Sequence, residues 1–354
     1  MRADVQRWFQ RRTFDGRSFR AADLAALKTG PISVVLPALN ESATVGDIAY
    51  AVRKQLMEEV PLVDELVVID PGSLDATAEV AALAGARVVA EADVLPRFGR
   101  VPGKGEALWK SLHATVGDIV VFIDADLEDF DEHVVTGLLG PLLTDPGISY
   151  VKASYERPLA RGLLGAGAGR VTELVARPLL NAHWPALAGV AQPLSGECAG
   201  RRRLFEQLPF VSAYGVEFAL LVDALGLVGL DGIAQVEVGR KIHQHQSDEA
   251  LGLMAAQIMR TAWWRLGLSD GVRFVDAGDV PAAGREVAGS GGAAGHGWAR
   301  DGGVDEDGST EGSTLVQFRR VGGRLVPETH AVSVSERPPI ITVPEYRAAH
   351  PAAS

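Results

Sequence analysis

The sequence predicts an α/β fold with a mixed, mostly parallel sheet flanked by helices and a helical and β extension at the C-terminal end. Short apolar runs closed by turn residues alternate with segments of helical spacing over residues 31–150. This alternation at short intervals is typical of parallel strands that are connected by helices on both faces of a sheet. Hydrophobic residues make up 47% of the 354 residues, which is enough for a substantial core.

The first half of the chain contains four predicted strands after a helical lead-in at residues 1–30. The segments 42–57, 76–85 and 103–115 have helical spacing, and Ser42 is the expected N-cap of the first of these helices. The strands are short apolar runs that end in turn residues, as expected for buried strands. The four predicted strands are residues 31–41, 64–70, 87–92 and 118–129.

The second half of the chain, residues 151–282, follows a less regular pattern. A glycine-rich loop at 162–169 precedes a predicted helix, and two further helices are predicted at 213–225 and 247–266. Strands are predicted at 149–159, at 191–205 together with a turn, and at 233–247, where the strand runs into a polar loop. The last two segments are a Gly-, Ser- and Asp-rich stretch at 283–313, predicted to be a disordered linker, and a C-terminal tail at 314–354 with β-like sequence.

Composition restricts the classes of function. The formal net charge of −11 argues against a general nucleic-acid binder, because such proteins carry a basic surface. Cys198 is the single cysteine, so a disulfide within the chain and a cysteine zinc site are excluded, and a reducing compartment is expected. The sequence contains no recognisable signal peptide or membrane span, which predicts a cytoplasmic protein without a membrane partner.

Two aspartates stand one residue apart after the apolar run 120–123. In an extended chain, Asp124 and Asp126 point the same way and repel each other unless a positive charge lies nearby. A divalent cation that also binds a diphosphate supplies this charge, and Mg²⁺ and Mn²⁺ favour oxygen ligands. The alternative is a solvated acidic strand end.

Two other nucleotide-binding motifs are not found in the sequence. Gly103–Gly105 does not have the spacing of a P-loop, and the turn after the first strand has no dinucleotide-binding glycine fingerprint.

Four other residues are candidates for binding or catalysis. Arg170 follows the glycine-rich loop at the start of a helix, where backbone amides and a guanidinium suit a phosphate or a carboxylate. Glu217 lies at another helix start, and His243 and His245 follow a strand. Each also has an ordinary structural interpretation, namely a helix-surface arginine, a first-turn glutamate and structural histidines.

Several motifs, taken together and in this order, resemble one family. They are PALNE, DPGSLDAT, GKGEALWKSL, DIVVFIDADL, GRVTELVARPLL, QPLSGECAGRR, YGVEFALLVD and HQHQS. The set resembles the nucleotide-sugar glycosyltransferases with a GT-A (Rossmann-like) fold. It is most similar to the glucosyl-3-phosphoglycerate synthases of glycosyltransferase family 81. The resemblance covers residues 31–265.

The resemblance implies a reaction and a set of site residues. Glucose would pass from UDP-glucose, or another NDP-glucose, to 3-phosphoglycerate with retention and with Mg²⁺ or Mn²⁺ as the cofactor, in a homodimer. Residues 31–150 would form the nucleotide-sugar half, and residues 151–282 the acceptor half. Glu217 would face the sugar as the catalytic residue. The implied metal ligands are Asp126, His243 and Asp124. The implied donor-site residues are Pro37, Ala38, Leu39, Glu41, Ser73, Lys104, Asp124, Ala125, Leu194 and Tyr214. The implied acceptor-site residues are Gly169, Arg170, Thr172 and His245.

Two other functions are compatible with the same motifs. Polyprenyl-phosphate glycosyltransferases share the PALNE-like and DAD-like segments, although they usually also contain a membrane-binding segment. A non-catalytic nucleotide-sugar-binding protein could use the same fold. The intact Asp124-Ala125-Asp126, Lys104 and His243 argue against that second alternative.

Overall fold

In the computed structural model, the described residues are 1–156, 169–240, 247–268, 313–321, 324–332 and 334–351. They form a main sheet of eight strands, two small two-stranded sheets, and helices on both faces of the main sheet. No helix among these residues is long and apolar enough to cross a membrane.

The helices have the following bounds in chain order. They are α1 (Ala3–Arg12), α2 (Ala21–Leu27), α3 (Val45–Arg53), α4 (Thr77–Leu83), α5 (Lys104–Ala114), α6 (His133–Thr144), α7 (Arg177–His183), α8 (Arg202–Phe205), α9 (Val216–Val228), α10 (Asp248–Arg265) and α11 (Pro344–Ala349). A π-helical segment (Thr172–Ala176) leads into α7.

The strands are numbered in the same way. They are β1 (Thr13–Asp15), β2 (Ile32–Pro37), β3 (Glu65–Asp70), β4 (Arg87–Ala90), β5 (Ile119–Phe122), β6 (Tyr150–Glu156), β7 (Cys198–Arg201), β8 (Phe210–Val211), β9 (Ile233–Arg240), β10 (Ser313–Val321), β11 (Arg324–Val332) and β12 (Glu336–Arg337). β10 and β11 form an antiparallel hairpin, and β12 pairs with β8.

One strand of the main sheet runs against the others. The strand order is β1-β9-β6-β7-β5-β2-β3-β4, and only the pairs that involve β7 are antiparallel in this sheet as described. Therefore β2, β3, β5, β6 and β9 end at the same edge at which β7 begins. We call it the carboxyl edge. Ligands of open α/β sheets bind beyond this edge.

The main sheet has a hydrophobic core on each face. Val35 and Phe122 face the core that contains α5 and α9, whereas Val34, Leu36 and Val121 face the core that contains α3 and α6. Alternate residues of a strand point to opposite faces, so strands that are apolar at every position indicate a sheet covered on both sides. The predicted mostly parallel sheet flanked by helices is confirmed.

Three local predictions need correction. Ser42 is not the N-cap of α3: its amide hydrogen-bonds Asp75 Oδ2 at 3.2 Å, and α3 begins three residues later, after Thr44. β5 ends at Phe122, because residues 125–126 form a turn and aspartate is unfavourable in strands. The lead-in at 1–30 contains β1 in addition to two helices.

Two predicted features at the ends of the second half have different outcomes. The predicted β-like tail is found as the β10–β11 hairpin. The predicted linker at 283–313 lies outside the described residues, except for its last residue, Ser313, which begins β10.

Candidate active site

The loops after β2 and β3 are joined to each other at the carboxyl edge. The Asn40 amide donates to Ser73 Oγ at 3.0 Å, and the Leu74 amide donates to Asn40 Oδ1 at 2.8 Å. Ser73 Oγ in turn lies 2.8 Å from Asp70 Oδ1. These bonds bring Ser73 next to the Pro37–Glu41 segment, so the first two strand ends form one continuous polar surface with Leu39 exposed at its rim.

The loop after β5 is tied to the same surface. Thr44 Oγ1 donates to the carbonyl of Ala125 at 2.5 Å, and the Glu41 amide donates to Thr77 Oγ1 at 2.8 Å. The Asp124–Asp126 segment therefore lies beside Glu41, although Glu41 and Asp124 are 83 positions apart in the chain (124 − 41).

Carboxylates crowd together at this point. Burial, followed by the charges of Asp126, Asp124 and Asp75, raises the pKa of Glu41 to about 7. The native Glu41 carboxyl therefore holds its proton across the interval from its ordinary pKa of 4.5 to about 7. In that interval the free energy of unfolding decreases as the pH rises, because the native state binds more protons than the unfolded state. A cation would relieve this repulsion.

These oxygen donors fit a hard divalent cation. Asp124, Asp126 and Glu41 offer carboxylates, which Mg²⁺ and Mn²⁺ prefer. His243, the third predicted metal ligand, and His245 both lie outside the described residues. Another group of possible ligand atoms, on Asp131, Glu132 and His133, lies at the exposed start of α6. His133 Nδ1 already contacts Asp131 Oδ1 at 2.5 Å there.

A lysine joins the strand-end acids to α9. Lys104 Nζ forms an ion pair with Asp124 Oδ1 and lies 2.9 Å from Glu217 Oε1. The three side chains are only 24%, 22% and 12% exposed, respectively. Burial alone would lower the pKa of Lys104, but the carboxylates of Asp124 and Glu217 outweigh it and hold that pKa well above its ordinary value. The site thus contains a fixed positive charge between two carboxylates.

Glycine allows Lys104 to occupy this position. Gly103, immediately before α5, has φ +122°, which side-chain-bearing residues rarely adopt. A Cβ at Gly103 would also lie 2.2 Å from the carbonyl oxygen of Ser212. This close approach places the first residue of α5 against the segment that leads from β8 to α9. As a result, Lys104 and Glu217 start their helices side by side.

The loop before β7 completes the wall beside this ion pair. A Cβ at Gly196 would lie 2.2 Å from Lys104 Nζ and 2.3 Å from both carboxylate oxygens of Asp124. Leu194 in the same loop is partly buried against the α5–α9 core. Tyr214, just before α9, is 48% exposed, and its amide donates to Gln257 Oε1 at 3.3 Å.

Three predicted acceptor residues, Gly169, Arg170 and Thr172, are among the described residues, and Arg170 contacts the start of α10. Arg170 Nη1 pairs with Asp248, the first residue of α10, and both side chains are exposed. Gly169 is partly exposed, whereas Thr172 is 5% exposed and begins the π-helical segment. Arg170 therefore presents an exposed guanidinium that already holds one carboxylate.

Sequence reasoning missed a buried polar group behind the site. Lys152 on β6 is fully buried, and its Nζ donates to the carbonyl of Ser195. The hydroxyl of Tyr155 donates to Glu197 Oε2 at 2.8 Å. A lysine in the middle of the strand sequence SYVKASYE was the available signal, because lysine is almost never fully buried without a partner.

Comparison with known proteins assigns the family. The family model described as glycosyl transferase family 2 matches residues 33–171. Glucosyl-3-phosphoglycerate synthase from Mycolicibacterium smegmatis is 42% identical over 340 residues, which cover 95% of this chain and 98% of the relative. The chain belongs to the glucosyl-3-phosphoglycerate synthase family. The resemblance inferred from the sequence motifs is therefore confirmed.

Solved structures of relatives share the fold. Glucosyl-3-phosphoglycerate synthase from Mycobacterium tuberculosis, in complex with Mn²⁺, uridine diphosphate and phosphoglyceric acid, has a TM-score of 0.72 at 41% identity, covering 92% of this chain and 95% of that one. Mannosyl-3-phosphoglycerate synthase from Rubrobacter xylanophilus has a TM-score of 0.77 at 34% identity, covering 96% and 97%. The predicted GT-A fold is confirmed by this likeness and by the mixed sheet.

Proposed function

We propose that this protein transfers glucose from UDP-glucose to 3-phosphoglycerate, giving glucosyl-3-phosphoglycerate and UDP, in a metal-dependent reaction. The observation that carries the proposal is similarity along nearly the whole chain to a relative solved with Mn²⁺, UDP and phosphoglyceric acid. The convergence of Glu41, Asp124, Lys104 and Glu217 at the carboxyl edge supports it, because a nucleotide diphosphate and a cation need charges of both signs there.

The donor site lies on the joined loops after β2, β3 and β5. The Pro37–Glu41 segment and Ser73 are proposed to hold the uracil and ribose, since Asn40 and Ser73 hydrogen-bond and fix the two loops relative to each other. The remaining proposed donor-site residues are Lys104, Asp124, Ala125, Leu194 and Tyr214. Residues 31–150 thus provide most of the nucleotide-sugar half.

The metal is proposed to bind mainly through Asp126, with Asp124 and His243 as further ligands. When bound, Mg²⁺ or Mn²⁺ supplies positive charge to the leaving diphosphate. The crowded carboxylates around Glu41 support this assignment, because they favour a cation of double charge.

Glu217 is proposed as the residue that faces the transferred glucose. Its carboxylate is 12% exposed and holds Lys104 at 2.9 Å. The ion pair orients the Glu217 carboxylate, whose oxygens can accept hydrogen bonds from sugar hydroxyls. Lys104 keeps a positive charge beside the diphosphate, which is electrostatic stabilisation of the developing charge. The transfer is proposed to retain the configuration at the anomeric carbon.

The acceptor is proposed to bind in the 151–282 half at Gly169, Arg170, Thr172 and His245. Arg170 can exchange its Asp248 carboxylate for the carboxylate or phosphate of 3-phosphoglycerate, because its guanidinium suits either group. Exposure of both partners makes this exchange inexpensive, since exposed ion pairs contribute little stability.

Two further properties belong to the proposal. We place the protein in the cytoplasm, which the buried free thiol of Cys198 supports. We also propose a homodimer. Val316 and Phe318 on the β10–β11 hairpin are 45% and 67% exposed, and exposed apolar side chains on a hairpin favour association.

The test is release of UDP from UDP-glucose with Mg²⁺ or Mn²⁺, with and without 3-phosphoglycerate. We expect release only with the acceptor and the metal, no release in EDTA, and a new phosphorylated glucoside. Analysis of the glucoside's anomeric proton by NMR then tests retention. GDP-glucose and GDP-mannose serve as matched donors, because a structural relative is a mannosyl-3-phosphoglycerate synthase.

The outcomes separate the alternatives. Turnover with GDP-mannose and none with UDP-glucose would overturn the donor assignment but keep the acceptor. Transfer to a polyprenyl phosphate in place of 3-phosphoglycerate would favour that glycosyltransferase class. Tight binding of UDP-glucose without turnover on any acceptor would favour a non-catalytic nucleotide-sugar-binding protein.

A further inference from the structure

The loop of residues 192–197, which precedes β7, lies against the Lys104–Asp124 ion pair. The β5–β7 register pairs Phe122 with Cys198, so two residues beyond that pair Asp124 lies opposite Gly196. Gly196 has no room for a Cβ, which would meet Lys104 Nζ at 2.2 Å and Asp124 at 2.3 Å. A shift of this loop would therefore move the ion pair itself.

The loop is held from one face of the sheet by Lys152. Lys152 lies on β6 opposite Cys198, and its Nζ donates to the backbone carbonyl of Ser195. It lies on the same face as Tyr150, which belongs to the α5–α9 core. Burying an ammonium is expensive unless it is hydrogen-bonded, so this contact strongly fixes the position of the Ser195 carbonyl.

Tyr155 holds the same loop from the opposite face. It packs with the α3–α6 core. Its hydroxyl donates to Glu197 Oε2 at 2.8 Å, Ser195 Oγ donates to the same oxygen at 2.9 Å, and the two hydroxyl oxygens lie 3.2 Å apart. Gln192 Nε2 donates to the Tyr155 carbonyl at 2.5 Å. Both ends of the loop are therefore attached to β6.

Lys152 also interacts electrostatically with groups of the site. Burial lowers the pKa of Lys152 and Lys104 adds to this, whereas Cys198, Glu217 and Glu197 act in the opposite direction without reversing it. Lys152 thus sits within electrostatic reach of the same glutamate that holds Lys104. A buried polar network in which every group is hydrogen-bonded stabilises one conformation of the chain. Any other conformation would leave a buried polar group without a hydrogen bond.

We propose that Lys152, Tyr155 and Glu197 are positioning residues for the glucosyl transfer. They fix loop 192–197, and through Gly196 they set the position of the Lys104–Asp124 ion pair beside the donor diphosphate. This inference rests on the proposed function. None of the three is assigned a contact with a substrate. Their substitution would therefore shift the Lys104–Asp124 ion pair relative to the donor, without removing a group that binds a substrate.

The decisive experiment compares Tyr155→Phe with Tyr346→Phe. Tyr346 is a matched control, because it is also buried and its hydroxyl also donates to a glutamate, Glu206 Oε1, at 2.5 Å. We expect both variants to lower Tm to a similar extent. We expect only Tyr155→Phe to lower kcat, by about tenfold or more, since a misplacement of about 1 Å can cost about 100-fold.

The KM values provide the readout that a purely structural role would not give. In Tyr155→Phe, the KM for UDP-glucose and for 3-phosphoglycerate should each stay within about threefold of the wild-type value, because no binding group is removed. Lys152→Met should show the same split with a larger fall in kcat. An equal kcat in Tyr155→Phe and Tyr346→Phe would overturn the inference, whether or not Lys152→Met folds.

Amide hydrogen exchange tests whether Tyr155 fixes loop 192–197, and this measurement does not depend on enzymatic activity. Loop 192–197 should exchange faster in Tyr155→Phe than in the wild type, and at the wild-type rate in Tyr346→Phe, because only the first variant loosens that loop. Wild-type protein without acceptor-dependent UDP release would refute the proposed function. Unchanged exchange of the loop in Tyr155→Phe would refute the positioning role in either case.

Discussion

The buried ion pair between Arg337 and Glu106 offers a stringent stability prediction. Arg337 Nε and Nη2 donate to Glu106 Oε2 and Oε1 at 2.6 and 2.8 Å, and the Glu106 side chain is fully buried. Arg337→Leu leaves that carboxylate with Lys110, whose Nζ is 3.3 Å from Oε1. Removal of one partner of a buried pair costs about 3–5 kcal/mol. Because Lys110 remains, we expect the lower end, about 3 kcal/mol.

The assay is urea unfolding of the metal-free protein, with Arg20→Leu as the control. Arg20 also binds a carboxylate through two nitrogens, at 2.7 and 3.0 Å from Asp23, but this pair is exposed. Exposed pairs contribute little stability, so Arg20→Leu should leave the unfolding midpoint close to that of the wild type. Glu106→Gln added to Arg337→Leu should not recover the loss, because the fully buried Lys110 ammonium then loses its carboxylate partner. Equal losses in Arg337→Leu and Arg20→Leu would refute the reasoning.

Three further predictions concern the site. Asp126→Ala should abolish metal-dependent UDP release, measured across a Mn²⁺ titration, and a wild-type rate would contradict its assignment as a ligand. Arg170→Ala should raise the KM for 3-phosphoglycerate at least about tenfold more than the KM for UDP-glucose, since one charge-assisted contact is worth about 1.5–3 kcal/mol; equal effects on the two would mean that the acceptor site is misplaced. The pKa of Glu41 is about 7, above its ordinary 4.5. In EDTA the wild-type Tm should therefore fall between pH 5 and 8 more than the Tm of Glu41→Gln, and parallel Tm curves would contradict that pKa.

Local sequence patterns predicted most of the fold. The runs ISVVLP and ELVVID form β2 and β3. Both are apolar at consecutive positions, and alternate residues of a strand face opposite sides, so each strand can be buried on both faces. β1 could not be predicted, since three residues carry no periodicity and the strand exists only through pairing with Gln235–Glu237. The antiparallel insertion of β7 between β5 and β6 likewise depends on contacts between distant segments.

The candidate site was predictable only where its chemistry is local. The aspartates after β5 and the lysine between two glycines stand out in the sequence. The Lys104–Glu217 ion pair joins residues 113 positions apart (217 − 104), and its geometry depends on how two helices pack. Glu106 looks like a first-turn helix acid in the sequence, and only the structure shows that Arg337 binds it.

One register connects the fold to the chemistry. Cys198 of β7 pairs with Phe122 on one side and with Lys152 on the other. From this single position, Gly196 is placed beside Asp124, and Lys152 beneath the loop that contains Gly196. A slip of one residue would turn each of these groups to the other face of the sheet. The antiparallel strand therefore has a specific consequence: it brings the start of a strand, with loop 192–197 before it, to the edge where every neighbouring strand ends. The Lys104–Asp124 ion pair lies beyond the carboxyl end of β5, Gly196 before β7 packs against it, and direct pairing of β5 with β7 sets this arrangement.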